Sequence, residues 1–149
     1  MTQEDKELLL KDLSARLPYG VICVGVTYDL DDDGERYIPV KVRNILTEIN
    51  NYTLETASVK LDLISSCKLE TIKPYLRPMS SMTEEENEEF EELFISYSIS
   101  RDRNCVYHSS RGDLNLEIID WLNAHHFDYR GLIDKGLALE ALEGMYNKQ

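Results

Sequence analysis

The sequence predicts an α+β protein: an N-terminal helix, a small antiparallel, barrel-like sheet of about four strands, then two helices and a packed C-terminal tail. Three observations predict it. Leucines recur at helical spacing in the first 17 residues, β-branched and aromatic residues dominate from 19 to 72, and helical spacing returns after 80. Charge changes with the pattern: residues 1–80 carry 13 acids and 10 bases, net −3, whereas 81–149 carry 15 and 6, net −9. With 149 residues and neither an internal repeat nor a low-complexity linker, the expected organisation is a single domain. Within it, 1–18 is the helical start, 19–72 the β segment and 80–149 the helical segment.

Thr2 followed by Asp5 has the form of a capping box, and Leu9, Leu10, Leu13 and Leu17 then share a face. The predicted helix runs from Gln3 to Arg16 and stops before Pro18, because a residue preceding proline avoids the α region. Strands are expected over Val21–Tyr28, Arg36–Leu46, Tyr52–Leu63 and Ser66–Ile72. In the second of these, Pro39 cannot donate to a ladder, which places that strand at an edge or a bulge. Cys23, alternating between Ile22 and Val24, is expected to be a buried small hydrophobe. Thr83 with Glu86 is a second capping box, opening a helix whose first ten residues hold seven glutamates; the helix dipole favours that charge in the first turn. Its apolar stripe is Met82, Phe90, Leu93, Phe94 and Tyr97, interrupted by Glu86. Leu114–Phe127 forms the last expected helix, with Trp121 in the core beside Phe127 and Leu132. The tail from Asp128 should pack back as turns with one short regular segment.

Composition excludes several function classes. At 42% apolar and 30% charged the chain is globular. No apolar run approaches the roughly 20 residues a membrane helix needs, and the acidic start, MTQEDKELLLKDL, lacks the cationic region of a signal peptide. Three widely spaced cysteines, in no CxxC pair, fit reduced thiols and a cytoplasmic location. A net charge of −12 argues against direct nucleic-acid binding, since phosphates are neutralised by clustered Lys and Arg.

Five patterns could carry chemistry. Asp29-Leu30-Asp31-Asp32-Asp33-Gly34 reproduces the first half of a calcium loop, but Val40 stands where the bidentate Glu should be; a solvated turn is the simpler reading. His125 and His126 project about 100° apart on a helix and do not make a zinc pair. His125, four residues after Trp121, is expected to pack or to cap the helix end. Cys105 and His108 share a polar stretch without a nucleophile signature around them. Arg111-Gly112-Asp113 reads as a turn and cap before the last helix. Tyr19, Tyr28, Tyr37 and Tyr52 fall on the β segment and could line a concave surface.

IKPYLRPMSSMTEEE (Ile72–Glu86) and IDWLNAHHFDYRGLIDKGLALEALEGMY (Ile119–Tyr146) together resemble a family of short, uncharacterised proteins common in gut-bacterial genomes, their prophages and phages. The resemblance covers about 45 residues, and LPYG (Leu17–Gly20) extends it. It implies a mobile-element context, in which small acidic proteins serve as binders or inhibitors, and it implies no catalytic residues or ligand.

The expected function is therefore a non-catalytic, cytoplasmic accessory protein that binds another protein, with nucleic-acid mimicry as one form of inhibition. The glutamate-rich helix reads first as a solvated face; read instead as a recruiting patch, its contact residues are Glu84, Glu85, Glu88, Glu89 and Glu92 and its partner is basic, and no cofactor is expected. The alternative is a metal-dependent hydrolase built on Asp29, Asp31 and Asp33.

Overall fold

The computed structural model describes residues 1–50, 53, 57–61, 65–95 and 116–147. Helix α1 spans Gln3–Arg16, and its capping box is present: Thr2 Oγ1 accepts from Asp5 N at 3.1 Å while Thr2 N donates to Asp5 Oδ2 at 3.0 Å. A one-turn 3-10 segment, Leu17–Tyr19, and Gly20 at φ +69° turn the chain into the sheet.

Among the described residues the sheet has six strands: β1 (Ile22–Leu30), β2 (Tyr37–Asn50), β3 (Ser58–Leu61), β4 (Ser65–Lys68), β5 (Lys73–Leu76) and β6 (Leu139–Glu140). Their order is β4-β3-β2-β1-β5-β6. Two expectations are corrected here. The sheet is open, with β4 and β6 at its edges, and so is not a barrel. It is also mixed, because the tail contributes β6 in parallel to β5 (Tyr75↔Leu139, Leu76↔Glu140). Two residues leave no periodic signal, and β5, four residues interrupted by Pro74, also falls outside the expected strands; these two strands raise the count from about four to six among the described residues. The expected Ser66–Ile72 strand ends at Lys68 and becomes a 3-10 turn, Leu69–Thr71.

The sheet curls without closing. Gly25 permits it: a Cβ there would lie 2.5 Å from Ile72 Cδ1 and 3.0 Å from Cys67 Sγ, so the far strand folds directly over β1. Leu46 N donates to Val21 O, which directs the even-numbered N–H groups of β2 toward β1. Pro39 therefore presents its nitrogen to the opposite edge, where β3 pairs only with Leu46–Asn50. Its edge position is as the sequence predicts.

Helices α2 (Glu84–Ile95) and α3 (Leu116–Ala124) follow. Among the described residues the buried apolar side chains form two clusters. One joins α1 to the sheet through Leu9, Leu13, Val21, Cys23, Val59, Leu61 and Ile72. The other joins α2, α3 and the chain after them through Met82, Phe90, Ile118, Leu122 and Phe127. Trp121 differs from expectation. It is half-buried at the margin of the second cluster, 5.7 Å from the Phe127 ring, and Leu132 lies in the first. Its indole N–H explains the position, since it donates outward to Glu89 Oε2 at 3.2 Å.

Candidate functional site

The acidic helix comes first. Thr83 caps it (Glu86 N to Thr83 Oγ1, 3.2 Å) and Glu86 returns the bond to Thr83 N at 3.0 Å. Phe90 is buried and Leu93 packs beside it, so the remaining face is turned to solvent. Glu84, Glu85, Glu88, Glu89 and Glu92 are all exposed on it. Glu89 holds the Trp121 indole; Glu84, Glu85, Glu88 and Glu92 have no hydrogen bond or ion pair among the described residues. Among the described residues nothing neutralises these four carboxylates. Glu86 is different: Arg77 grips it with both terminal nitrogens at 2.7 Å, and this holds its carboxyl below the usual range.

The Asp-rich segment is a hairpin turn. Asp31 N donates to Arg36 O, Asp31 Oδ1 accepts from Glu35 N and Arg36 N, and Asp29 Oδ1 accepts from Leu30 N. The carboxylates of Asp29 and Asp31 thus serve the turn itself, Asp33 is exposed, and Gly34 at φ +71° closes it. The three do not converge. Among the described residues no three His, Cys, Asp or Glu side chains stand together as a metal site. Beyond the pairing with β5, the outer half of the β1–β2 ribbon stands free, with Tyr28, Leu30 and Tyr37 exposed on one face and Ile38 on the other. Of the tyrosines expected to share a surface, Tyr28 and Tyr37 do, and Tyr19 is half-buried at the sheet's opposite end. Tyr52, Tyr97, Cys105, His108 and Arg111-Gly112-Asp113 lie outside the described residues.

The end of α3 builds a feature the sequence did not advertise. His126 N donates to Asn123 O and Phe127 N to Leu122 O, a Schellman turn that puts His126 at φ +60° where glycine is usual. Its ring is buried and stacks on Tyr146 at 3.8 Å, and its enclosed Nδ1 has no hydrogen-bond partner among the described residues. Burial, reinforced by the positive charge of Arg16, pushes its pKa down to about 4, so the imidazole is neutral at pH 7. His125 caps the helix as expected, its Nδ1 2.8 Å from Trp121 O and its ring 4.0 Å from the indole.

Arg77 N donates to His126 O and Asp128 N to Arg77 O, seating this turn beside β5. Below it lies a buried ion pair. Arg16 meets Asp12 through Nε at 2.8 Å and Nη2 at 3.1 Å, with Nη2 also donating to Phe127 O at 2.7 Å. Asp128 caps the next turn by accepting from Leu132 N and Ile133 N.

A cavity of about 630 Å³ opens above this turn. Arg77 and Glu86 form one wall, His125 and His126 a second, and the tail from Glu140 to Asn147 the third. Comparisons with protein-family models, with curated proteins and with solved structures find no match to this chain. No helix of the described residues is long and apolar enough to cross a membrane.

Proposed function

We propose that this protein acts by binding another protein, as an accessory factor of a mobile genetic element, and that it recruits a basic partner through the exposed face of α2. The observation that carries the reading is the set Glu84, Glu85, Glu88 and Glu92, four carboxylates on one solvent face with no base beside them among the described residues. A helix whose only task was to cover Phe90 and Leu93 would gain from lysines at i+4, and it has none. Such a face steers an oppositely charged surface into register and accelerates association more than it deepens affinity. Inhibition by occupying a basic groove, as nucleic-acid phosphates would, is one form this takes.

The test is a parallel capture from the host with the parent and a Glu84→Lys, Glu85→Lys, Glu88→Lys variant. A protein retained by the parent, lost with the folded variant and released when salt is raised to about 0.5 M supports the reading, because exposed charges are then screened within a few ångströms. A partner bound equally by both, without salt dependence, removes α2 from it.

A further inference from the structure

Whatever docks beside α2 meets the cavity under its first turn, where Thr83 and Glu86 are part of the wall. Three features define what fits there. The first is charge. Arg77 is committed to Glu86, and its guanidinium lies 4.3 Å from the Phe127 ring centre. Glu140 and Glu143 are exposed at the opposite wall with no ion pair among the described residues. Among the described residues the cavity is therefore net negative.

The second is His126. It is 6% exposed and lines the cavity, and its Nδ1 has no hydrogen-bond partner among the described residues. Buried polar groups left without a partner are uncommon and costly. It also occupies a left-handed position that glycine would fill without strain. A neutral imidazole offers a lone pair, and so it asks for a donor.

The third is shape. The His126–Tyr146 stack gives a flat aromatic wall, with Ala141, Leu142 and Met145 as apolar lining. A cation that is planar, rich in N–H donors and carried on an aliphatic stem matches all three. Guanidinium fits better than ammonium, because it stacks on rings and forks onto carboxylates while being less strongly hydrated.

We propose that the cavity receives an arginine side chain of the partner, with Glu140, Glu143 and His126 as its acceptors. This rests on the protein-binding reading above, and the experiment separates the two. The probe is the capped tripeptide acetyl-Gly-Arg-Gly-amide, titrated into the full chain. Binding is read from backbone amide shifts and from the emission of Trp121, the single tryptophan, which stacks on His125 in the cavity wall.

Expected are saturable shifts centred on His125, His126 and 140–147, with affinity falling about tenfold in Glu140→Gln/Glu143→Gln as two charge-assisted bonds weaken. His126→Gly should fold, since glycine suits the turn, and should also bind several-fold more weakly. The α2 charge-reversal variant should still take up the tripeptide, so loss of partner capture with tripeptide binding intact faults the α2 reading alone. Absence of saturation, unchanged affinity in the double Gln variant, equal binding of the Lys or Glu tripeptide, or tighter binding of free agmatine would each overturn the assignment.

Discussion

The Tyr146 hydroxyl donates to Tyr75 O at 2.7 Å, and in doing so it completes a rung of the sheet. The same oxygen accepts from Ile22 N at 3.0 Å. The β1–β5 register, Val24↔Lys73 and Cys23↔Pro74, would next set Ile22 against Tyr75. Even-numbered N–H groups of β1 face β5, so Ile22 N points toward Tyr75, and the phenol carries the bond that the two backbones do not make directly.

Tyr146→Phe should therefore destabilise the protein by about 1–3 kcal/mol, the penalty for unpaired, partly buried backbone groups. The His126 stack is kept, since phenylalanine has the same ring. Urea unfolding checks it. A variant with the parent's midpoint would mean that β1 and β5 close the rung without the phenol.

The Asp12–Arg16 pair yields a second prediction. Both side chains are wholly buried, and Arg130 Nε stands 3.3 Å from Asp12 Oδ1. Removing one partner leaves a buried charge uncompensated, so Asp12→Asn should cost about 3–5 kcal/mol. Asp12→Leu with Arg16→Met removes both charges and should lie closer to the parent than either single change. Equilibrium unfolding of Asp12→Leu, Arg16→Met and the double variant gives the coupling. Additive effects would show that the pair does not act as a unit.

This pair marks the limit of what the sequence discloses. Capping boxes at Thr2–Asp5 and Thr83–Glu86 are legible because the partners lie three residues apart, and so is the hairpin around Asp31–Gly34. Asp12 and Arg16 have the spacing of an ordinary surface i,i+4 pair, and only the tail folding across α1 buries them. Likewise β6 needs β5 to exist, and His126 follows a helix with no glycine to announce its turn. The cavity joins residues 77–86, 124–126 and 140–147, whose juxtaposition no local pattern encodes.

Trp121 and Phe127 can be ranked. Phe127 is fully buried beneath the Arg77 guanidinium, whereas Trp121 is half-buried with its indole N–H on Glu89. Phe127→Ala should cost about 3–5 kcal/mol. Trp121→Ala should cost less, because part of its area stays in water in the folded state. Melting temperatures in the opposite order would place the tryptophan in the core.

The last prediction concerns acid. In the unfolded chain His126 takes up a proton near its ordinary value of 6.5; in the folded protein burial and the Arg16 charge defer this to about 4. Between those values the unfolded state binds more protons, so stability falls as pH falls. The loss approaches about 1.4 kcal/mol per pH unit within that window, roughly 3 kcal/mol across it. Asp128 acts in the opposite sense: desolvation raises its pKa, so its unfavourable contribution at neutral pH fades on acidification. Glu86, lowered by Arg77, matters only once pH nears the ordinary carboxylate range. Below about pH 6.5 the loss of stability therefore comes from His126, with Asp128 opposing it. Urea unfolding at about pH 7, 6 and 5 should show a steeper loss for the parent than for His126→Gln, whose amide does not titrate. Equal slopes in the two proteins would mean that His126 is already solvated, and that the cavity wall is looser than the His126–Tyr146 stack makes it.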